Sequence, residues 1–519
     1  MPEYLSPGVY VEEFEIGARP IEGVSTSTAG FLGPTERGPE QPRLITGFEQ
    51  FRRTYGRYLA DSFLAYGIEG FFTNGGKRCF VGRIVADDAV AAAANLGTQA
   101  NVEAIGPGEW GNRIAVKIED ASLDPVNMFK LTVMYWNEPP PTPLVDPTIL
   151  ANATDPNRRE PDLLEVYDNL TDNQASINYY ESRINPQSNL ITITHLAAGR
   201  PANQALELLT NLAGAVTGGD GSAIDLADYQ GRTLTALPDG TTPRTGFLGF
   251  TEIDEISIVC VPDHHAVPNL TNEIVTHCTQ MGDRFAVLHS NPATDTLATI
   301  ANLRPPQDTR YAAFYFPWIK IFDTRTNQDL LVPPSGHVAG IYAKTDIERG
   351  VHKAPANEVV LGATALQFQI TKGEQDLLNP RGVNCLRAFP GRGIRVWGAR
   401  TSSTNTLWKY INVRRLFLYI SESIEEGTQW VVFEPNDEKL WGRVRATITE
   451  FLTRVWRDGA LMGTKAEEAF FVKCDRTTMT QDDIDNGRLI CIIGIAPVKP
   501  AEFVIFRIAQ FPGGSSITE

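Results

Sequence analysis

Residues 412–426, NVRRLFLYISESIEE, place Val413, Leu416, Phe417, Ile420 and Ile424 at spacings of three and four. That is the period of a helix with one apolar face. Gly427 stands where such a helix ends. Downstream, residues 429–433 (QWVVF) read as a short buried strand. Asn436 or Asp437 can cap a second helix, whose apolar face is Leu440, Val444, Ile448, Phe451, Leu452 and Val455 and whose end is Gly459. Two strands follow, at 469–474 and 488–497, and a last one at 502–511. Upstream, Gly391-Arg392-Gly393-Ile394-Arg395-Val396-Trp397 reads as a tight turn entering a strand. Helices alternating with strands predict a compact α/β domain, and no catalytic constellation is visible in it.

The chain of 519 residues is long enough for about three domains. It is 42% hydrophobic and 21% charged, an ordinary globular mix. No apolar run approaches the roughly 20 residues that span a bilayer, and Met1-Pro2-Glu3-Tyr4 has neither part of a secretory signal. The net charge of −16 argues against nucleic acid as the main partner. Cys79, Cys260, Cys278, Cys385, Cys474 and Cys491 are far apart in sequence with no Cys-x-x-Cys pair, and read as reduced core thiols of a cytosolic protein.

Other stretches agree with an α/β core. A strand near Gly30-Phe31-Leu32-Gly33, a helix at 62–72 and a strand at 79–85 form one unit with short connections. Gly75-Gly76 reads as a turn, since no Lys-Ser/Thr follows in phosphate-loop spacing. Strands at 256–262, 285–288 and 311–318 with a helix at 269–281 predict parallel strands and a crossover helix. Between these regions, 91–245 is strand-rich and carries Pro139-Pro140-Pro141-Thr142-Pro143, an exposed excursion. The fold class expected is α/β with α+β elements, multi-domain. Its discontinuous core comprises 21–90, 246–383 and a C-terminal α/β domain at 384–500. An inserted strand-rich outer domain covers 91–245, an extended N-terminal arm 1–20, and a C-terminal strand or arm 501–519.

Phe389-Pro390-Gly391-Arg392-Gly393, Val396-Trp397-Gly398-Ala399-Arg400-Thr401 and Tyr410-Ile411-Asn412-Val413-Arg414-Arg415 resemble the C-terminal half of contractile tail sheath proteins of myophages, R-type pyocins and phage-tail-like injection systems. Similar segments occur upstream in the same order. They are Leu5-Ser6-Pro7-Gly8-Val9-Tyr10-Val11-Glu12-Glu13, Gly108-Glu109-Trp110-Gly111-Asn112, Thr217-Gly218-Gly219-Asp220-Gly221, Pro333 through Gly340, and Arg349 through Asn357. The resemblance covers most of the chain. It implies a structural subunit, not an enzyme and without a cofactor, that stacks as rings around an inner tube and contracts. The implied partners are further copies of the chain, an inner tube protein, and baseplate and terminal cap proteins. Nucleic acid binding and membrane insertion are not implied. The implied place is the cytoplasm of the producing bacterium, within an assembled particle.

By composition the N-terminal stretch reads as a first edge strand of its own domain or as an arm, and the resemblance makes it an arm donated to a neighbour; residues 502–511, apolar on both faces of their alternation, read as a second arm. Tyr4, Leu5, Val9, Tyr10 and Val11 would pair at one end, and Phe503, Val504, Ile505, Phe506 and Ile508 at the other, with linkers at 16–23 and 497–500 acting as hinges. A terminal strand apolar on both faces is hazardous as a free edge, and pairing with another subunit removes the hazard. Between 384 and 460, twelve basic residues face eight acidic ones, a +4 block in a chain of −16. Since the family sets this region beside the tube, Lys439, Arg443, Arg445, Arg454 and Arg457 are the candidate tube contacts.

One competing chemistry is visible. Asp263-His264-His265 follows a strand, where α/β enzymes place ligands, and His277, Cys278 and His289 invite a metal site. A hydrolase or metal-dependent enzyme built on His264 and His265 is the alternative function. No His-x-x-x-His or paired acid supports it, so a solvated turn after the strand is expected. Pro334-Ser335-Gly336 lacks the Gly-x-Ser-x-Gly frame of a nucleophile elbow.

Overall fold

The computed structural model describes residues 20–235 and 241–507 and divides into two units. The larger contains 24–349 and 355–409. The smaller contains 350–354 and the chain from 410 onward, with 20–23 from the described N-terminal part.

The larger unit begins with β1 (Ala29–Gly33), β2 (Arg43–Ile45), α1 (Phe48–Tyr55), α2 (Leu64–Thr73) and β3 (Cys79–Arg83). Next come β4 (Ala93–Leu96), β5 (Ala100–Ala104), β6 (Ile114–Asp120), β7 (Phe129–Tyr135), β8 (Leu163–Leu170), α3 (Tyr180–Ile184), β9 (Ile191–His195) and β10 (Gln204–Leu208). Short helices α4 (Leu226–Gln230) and α5 (Gly246–Phe250) lead to β11 (Ile258–Cys260), α6 (Leu270–Met281), β12 (Phe285–His289) and β13 (Ala312–Phe316). The unit ends with β14 (Ile319–Asp323), β15 (Gln328–Val332), α7 (Ser335–Arg349), β16 (Ala363–Leu366), α8 (Lys372–Leu378), β17 (Val383–Phe389) and β18 (Gly393–Val396).

Eight strands form the main sheet, in the order β18-β17-β13-β12-β11-β1-β3-β2. The six inner strands are parallel, and β2 and β18 are antiparallel edges. Every residue of β1, β12 and β13 is buried, as expected of strands covered on both faces. On one face Phe31 meets Phe71 of α2 edge-on at 5.4 Å, and the Tyr315 and Tyr342 hydroxyls lie 2.7 Å apart. On the other, Phe250, Ile274 and Cys278 pack with Leu32, Val259, Ala286 and Phe314. Helices α2 and α7 approach through glycine. A methyl group on Gly336 would stand 2.3 Å from the Gly67 carbonyl oxygen, and one on Gly340 would stand 2.4 Å from that of Phe71.

The strand-rich segment has two sheets of its own, β4-β5-β9 and β10-β6-β7-β8. A large apolar cluster drawn from 92–212 includes Trp110, Phe129, Tyr135 and Tyr180, and a smaller one joins Ala115, Met134, Trp136 and Leu206. The expected C-terminal domain boundary at 384 is displaced. Val383–Phe389 is a strand of the main sheet, paired in parallel with β13, so the chain from 384 to 409 belongs to the larger unit. Local pattern could not show this, because a parallel partner is supplied by residues about 70 positions away.

In the smaller unit, α9 (Ile411–Gly427) and α10 (Glu438–Arg457) match the two expected helices to within a few residues. Val413, Leu416 and Ile420 are buried, as are all six residues assigned to the second apolar face. Asp437 caps α10, its carboxylate accepting from the Leu440 N–H at 2.9 Å. A short helix α11 (Ala466–Ala469), then β19 (Phe470–Lys473), α12 (Gln481–Asp485) and β20 (Ile492–Ile495) follow. The two strands pair antiparallel.

One expectation is corrected. Residues 429–433 are not a buried strand: Gln429–Val431 is a 3-10 turn, and Val432 and Phe433 are exposed, Phe433 with φ of 67°. Helix α9 and the capped start of α10 leave room only for a reversal. Residues 501–507 pair with no strand among the described residues.

Candidate assembly surfaces

The resemblance-bearing segments hold the frame together. Asn112 and Gly218, 106 positions apart, exchange two hydrogen bonds: Asn112 Nδ2 donates to the Gly218 carbonyl at 2.9 Å and the Gly218 N–H donates to Asn112 Oδ1 at 2.7 Å. Asp220 accepts from the Glu109 N–H at 2.9 Å. Val90 and Gly219 exchange backbone bonds beside them. These contacts close the two ends of the strand-rich segment into a neck. Arg83, fully enclosed at the end of β3, donates to the carbonyls of Gly38 at 3.0 Å and Pro107 at 2.7 Å, tying the neck to the core. Burial lowers its pKa to about 10, and the carbonyl acceptors compensate for lost water. Asn384 plays the same part under Gly398-Ala399-Arg400: its side chain donates to the Arg400 carbonyl and accepts from the Arg400 N–H.

The histidine turn is enclosed, not solvated. β11 and β12 are neighbours, so the loop after one brings His264 and His265 to His289 at the end of the other. His264 Nδ1 lies 2.9 Å from Thr271 Oγ1, and its Nε2 accepts from the His289 N–H at 3.2 Å. His289 Nδ1 lies 3.1 Å from Ser335 Oγ, and Trp318 stands edge-on to His265 and His289. Burial lowers the pKa of His264 to about 3 and drives that of His289 well down. Asp263 accepts from Ser62 Oγ and the Phe63 N–H, both at 2.8 Å, at the start of α2, and burial raises its pKa to about 6. Each group is spent on a neighbour in the fold, and no His, Cys, Asp and Glu grouping suited to a metal occurs among the described residues. His277 stands apart from the turn, against Arg284 and Phe247.

The basic candidates lie on α10, all exposed. At 100° per residue, Lys439, Arg443, Arg454 and Arg457 share one stripe, whereas Arg445 lies on another flank, near Asp475. Arg443 pairs with Glu434 at 3.3 Å and covers the Trp430 ring at 5.3 Å; Arg454 reaches Glu450 and donates to the Ile21 carbonyl. The +4 count overstated the surface, because Arg400, Arg414 and Arg415 are buried.

At the terminal segments, Tyr4, Leu5, Val9, Tyr10, Val11 and Ile508 lie outside the described residues. Phe503, Val504, Ile505 and Phe506 are 70, 68, 78 and 85% exposed. The described parts of the expected linkers are anchored. Ile21 is buried with α9 and α10, and Gly23 lies against Tyr419. The Val498 N–H donates to the Ala460 carbonyl, Asn412 donates to the Val498 carbonyl at 3.0 Å, and Tyr410 donates to Glu502 at 3.0 Å. The chain is pinned through 502, and the exposed apolar run starts at 503. Beside it in kind is β19–β20, a sheet of two strands to which no third is added among the described residues.

Family models for the phage tail sheath protein central domain and the phage tail sheath C-terminal domain match residues 245–402 and 403–511, together just over half the chain. The tail sheath protein of Burkholderia phage BcepMu is 30% identical over 160 residues, 29% of this chain and 34% of that protein. That of Vibrio phage KVP40 is 26% identical over 215 residues, 41% of this chain and 31% of that protein. The matched part is thus about a third of the length of these relatives. Over nearly the whole chain, the fold is similar to the helical sheath of the anti-feeding prophage in its contracted state, with TM-score 0.59, 24% identity, and 97% of this chain and 99% of that one covered. It is also similar to the contracted sheath complex of an extracellular contractile injection system, with TM-score 0.58, 22% identity, and coverage of 98% and 99%. The chain belongs to the phage tail sheath family.

Proposed function

We propose that this protein is a structural sheath subunit that polymerises as stacked rings around an inner tube and contracts to drive that tube through a target envelope. One observation carries the reading: four consecutive exposed apolar residues, Phe503–Phe506, follow an anchored chain, and the same unit holds a sheet with two strands among the described residues. A strand that finds no partner at home is suited to extend a sheet in another copy, and backbone hydrogen bonds would make the joint. Such a contact is head-to-tail and propagates into a polymer instead of closing as a dimer. The N-terminal residues Tyr4, Leu5, Val9, Tyr10 and Val11 and the C-terminal Ile508 complete the proposed arms.

During contraction the bodies of the subunits would move as rigid pieces while the paired strands persist. Glu502, held by Tyr410, puts the proposed C-terminal pivot at 503. The inner tube, the baseplate and terminal cap proteins are the proposed partners. Lys439, Arg443, Arg454 and Arg457 are the proposed tube-facing stripe, and the strand-rich segment of 91–245 is the proposed outer domain. The working place is the cytoplasm of the producing bacterium, in an assembled particle, and the role is structural instead of catalytic.

The test is negative-stain microscopy of the purified chain and of a chain lacking 503–519. The full chain is expected to form tubes or stacked rings. The truncated chain is expected to keep its circular dichroism and stay monomeric. Normal tubes from the truncated chain would reject the arm mechanism.

A further inference from the structure

Four of the six cysteines are isolated in the larger unit: Cys79 on β3, Cys260 on β11, Cys278 on α6 and Cys385 on β17, all fully buried. Cys474 and Cys491 are placed differently. Cys474 follows the last residue of β19, and Cys491 precedes the first of β20. The antiparallel register pairs Phe470 with Ile495, Phe471 with Gly494, Val472 with Ile493 and Lys473 with Ile492. One further step sets Cys474 opposite Cys491.

The hydrogen bonds fix what kind of position this is. The Ala496 N–H donates to the Ala469 carbonyl at 2.8 Å, which makes 469/496 a hydrogen-bonded pair in the same register. Bonded and non-bonded pairs alternate along an antiparallel ladder. Hence 470/495 is non-bonded, 471/494 bonded, 472/493 non-bonded, 473/492 bonded, and 474/491 non-bonded. In non-bonded pairs the Cα atoms are about 4.5 Å apart, inside the span of about 4.4–6.8 Å that a disulfide bridges. Side chains of directly opposite residues lie on the same face, and the two thiols are within hydrogen-bonding reach of each other.

We propose that Cys474 and Cys491 are a latent disulfide site that closes by exchange with a small-molecule disulfide and staples the loop end of the β19–β20 hairpin. Cys491 is partly exposed and Cys474 is buried, so Cys491 reacts first. Its thiol loses a proton, and the thiolate attacks one sulfur of the oxidant. This forms a mixed disulfide and releases one small thiol. Cys474 then loses its proton and attacks the Cys491 sulfur, and the second small thiol leaves. Two electrons pass from the protein dithiol to the oxidant, and the two protons end on the released thiols. Burial raises both thiols, Cys491 to about 12 with help from its neighbour. The thiolate is therefore scarce at neutral pH, and closure is slow there and faster in mild alkali. In a reducing compartment the pair stays open; in an oxidising one it closes residues 475–490 into a loop. This proposal rests on strand register alone and is independent of the sheath reading.

The test incubates the purified full chain with oxidised glutathione at pH 8.5, then titrates thiols after denaturation. The count is expected to fall from six to four, and peptide mapping should find one bond, between Cys474 and Cys491. The Cys474→Ser variant, with no second thiol to displace the adduct, is expected to retain glutathione on Cys491. Six thiols after prolonged oxidation would overturn the proposal. So would a stable glutathione adduct on Cys491 of the unaltered chain, or a bond to any other cysteine or another chain.

Discussion

Ile505→Asp separates folding from assembly. Ile505 is 78% exposed and has no ladder partner among the described residues. Replacing it should therefore change the stability of the folded subunit by no more than about 0.5 kcal/mol. In the polymer the same side chain would be buried on another copy's sheet, where an isoleucine contributes about 2 kcal/mol. A carboxylate in its place adds a desolvation cost of at least about 1 kcal/mol. The loss is then about 3 kcal/mol or more per joint, and since 1.4 kcal/mol is about tenfold in affinity, the critical concentration for assembly should rise more than about 100-fold. Ile505→Val removes a single methylene worth about 0.8 kcal/mol, so it should shift the critical concentration less than about tenfold. The assay is sedimentation over a concentration series, beside circular dichroism of the same samples. If Ile505→Asp sediments at the concentration of the unaltered protein, the exposed run is not an assembly strand. If it loses secondary structure, the run belongs to its own subunit's fold.

Replacing 93–216 with a Gly/Ser linker keeps the Val90–Gly219 contact and should leave a folded remainder, destabilised by about 1–3 kcal/mol because Arg83 loses the Pro107 acceptor; non-cooperative urea unfolding would contradict the self-contained core of that segment. Gly336→Ala should lower the urea midpoint by the equivalent of about 3 kcal/mol or more, because the new methyl meets Gly67 backbone and overpacking alone costs about 1–3 kcal/mol; an unchanged midpoint would mean that α2 and α7 are farther apart. Stability should fall as pH drops from 7 to 5. The buried His264, His277, His289 and His337 have lowered folded-state pKa values, so the unfolded chain takes up protons first below its 6.5. Each loses about 2 kcal/mol over that range, and Asp263, raised to about 6, returns roughly 1 kcal/mol; a pH-independent urea midpoint would refute neutral burial. Reversing the charge of Lys439, Arg454 and Arg457 together should weaken co-sedimentation with an acidic tube protein, with a smaller difference at high salt, whereas Arg445→Glu should do little. Equal effects from both variants would dissolve the stripe.

The sequence by itself determined the elements whose pattern is local. The periodic faces of α9 and α10 and the Asp437 cap are legible because a helix face is written within twenty residues. The apolar runs 285–288 of β12 and Ala312–Phe316 of β13 announce burial on both faces in the same way. Tertiary structure decided what depends on distant partners. QWVVF looks like a strand because hydrophobicity says only that a segment profits from cover, and nothing among the described residues covers Val432 or Phe433. Arg400, Arg414 and Arg415 count as charge in the sequence and are lost from the surface in the fold. His264 and His289 are 25 positions apart and touch only because β11 and β12 are adjacent. The segments Gly108–Asn112 and Thr217–Gly221 show their purpose only as two sides of one neck. The apolar alternation at 503 is legible in the sequence, but that the chain is pinned through Glu502 follows from hydrogen bonds to Tyr410 and Asn412, whose partners no local pattern can name.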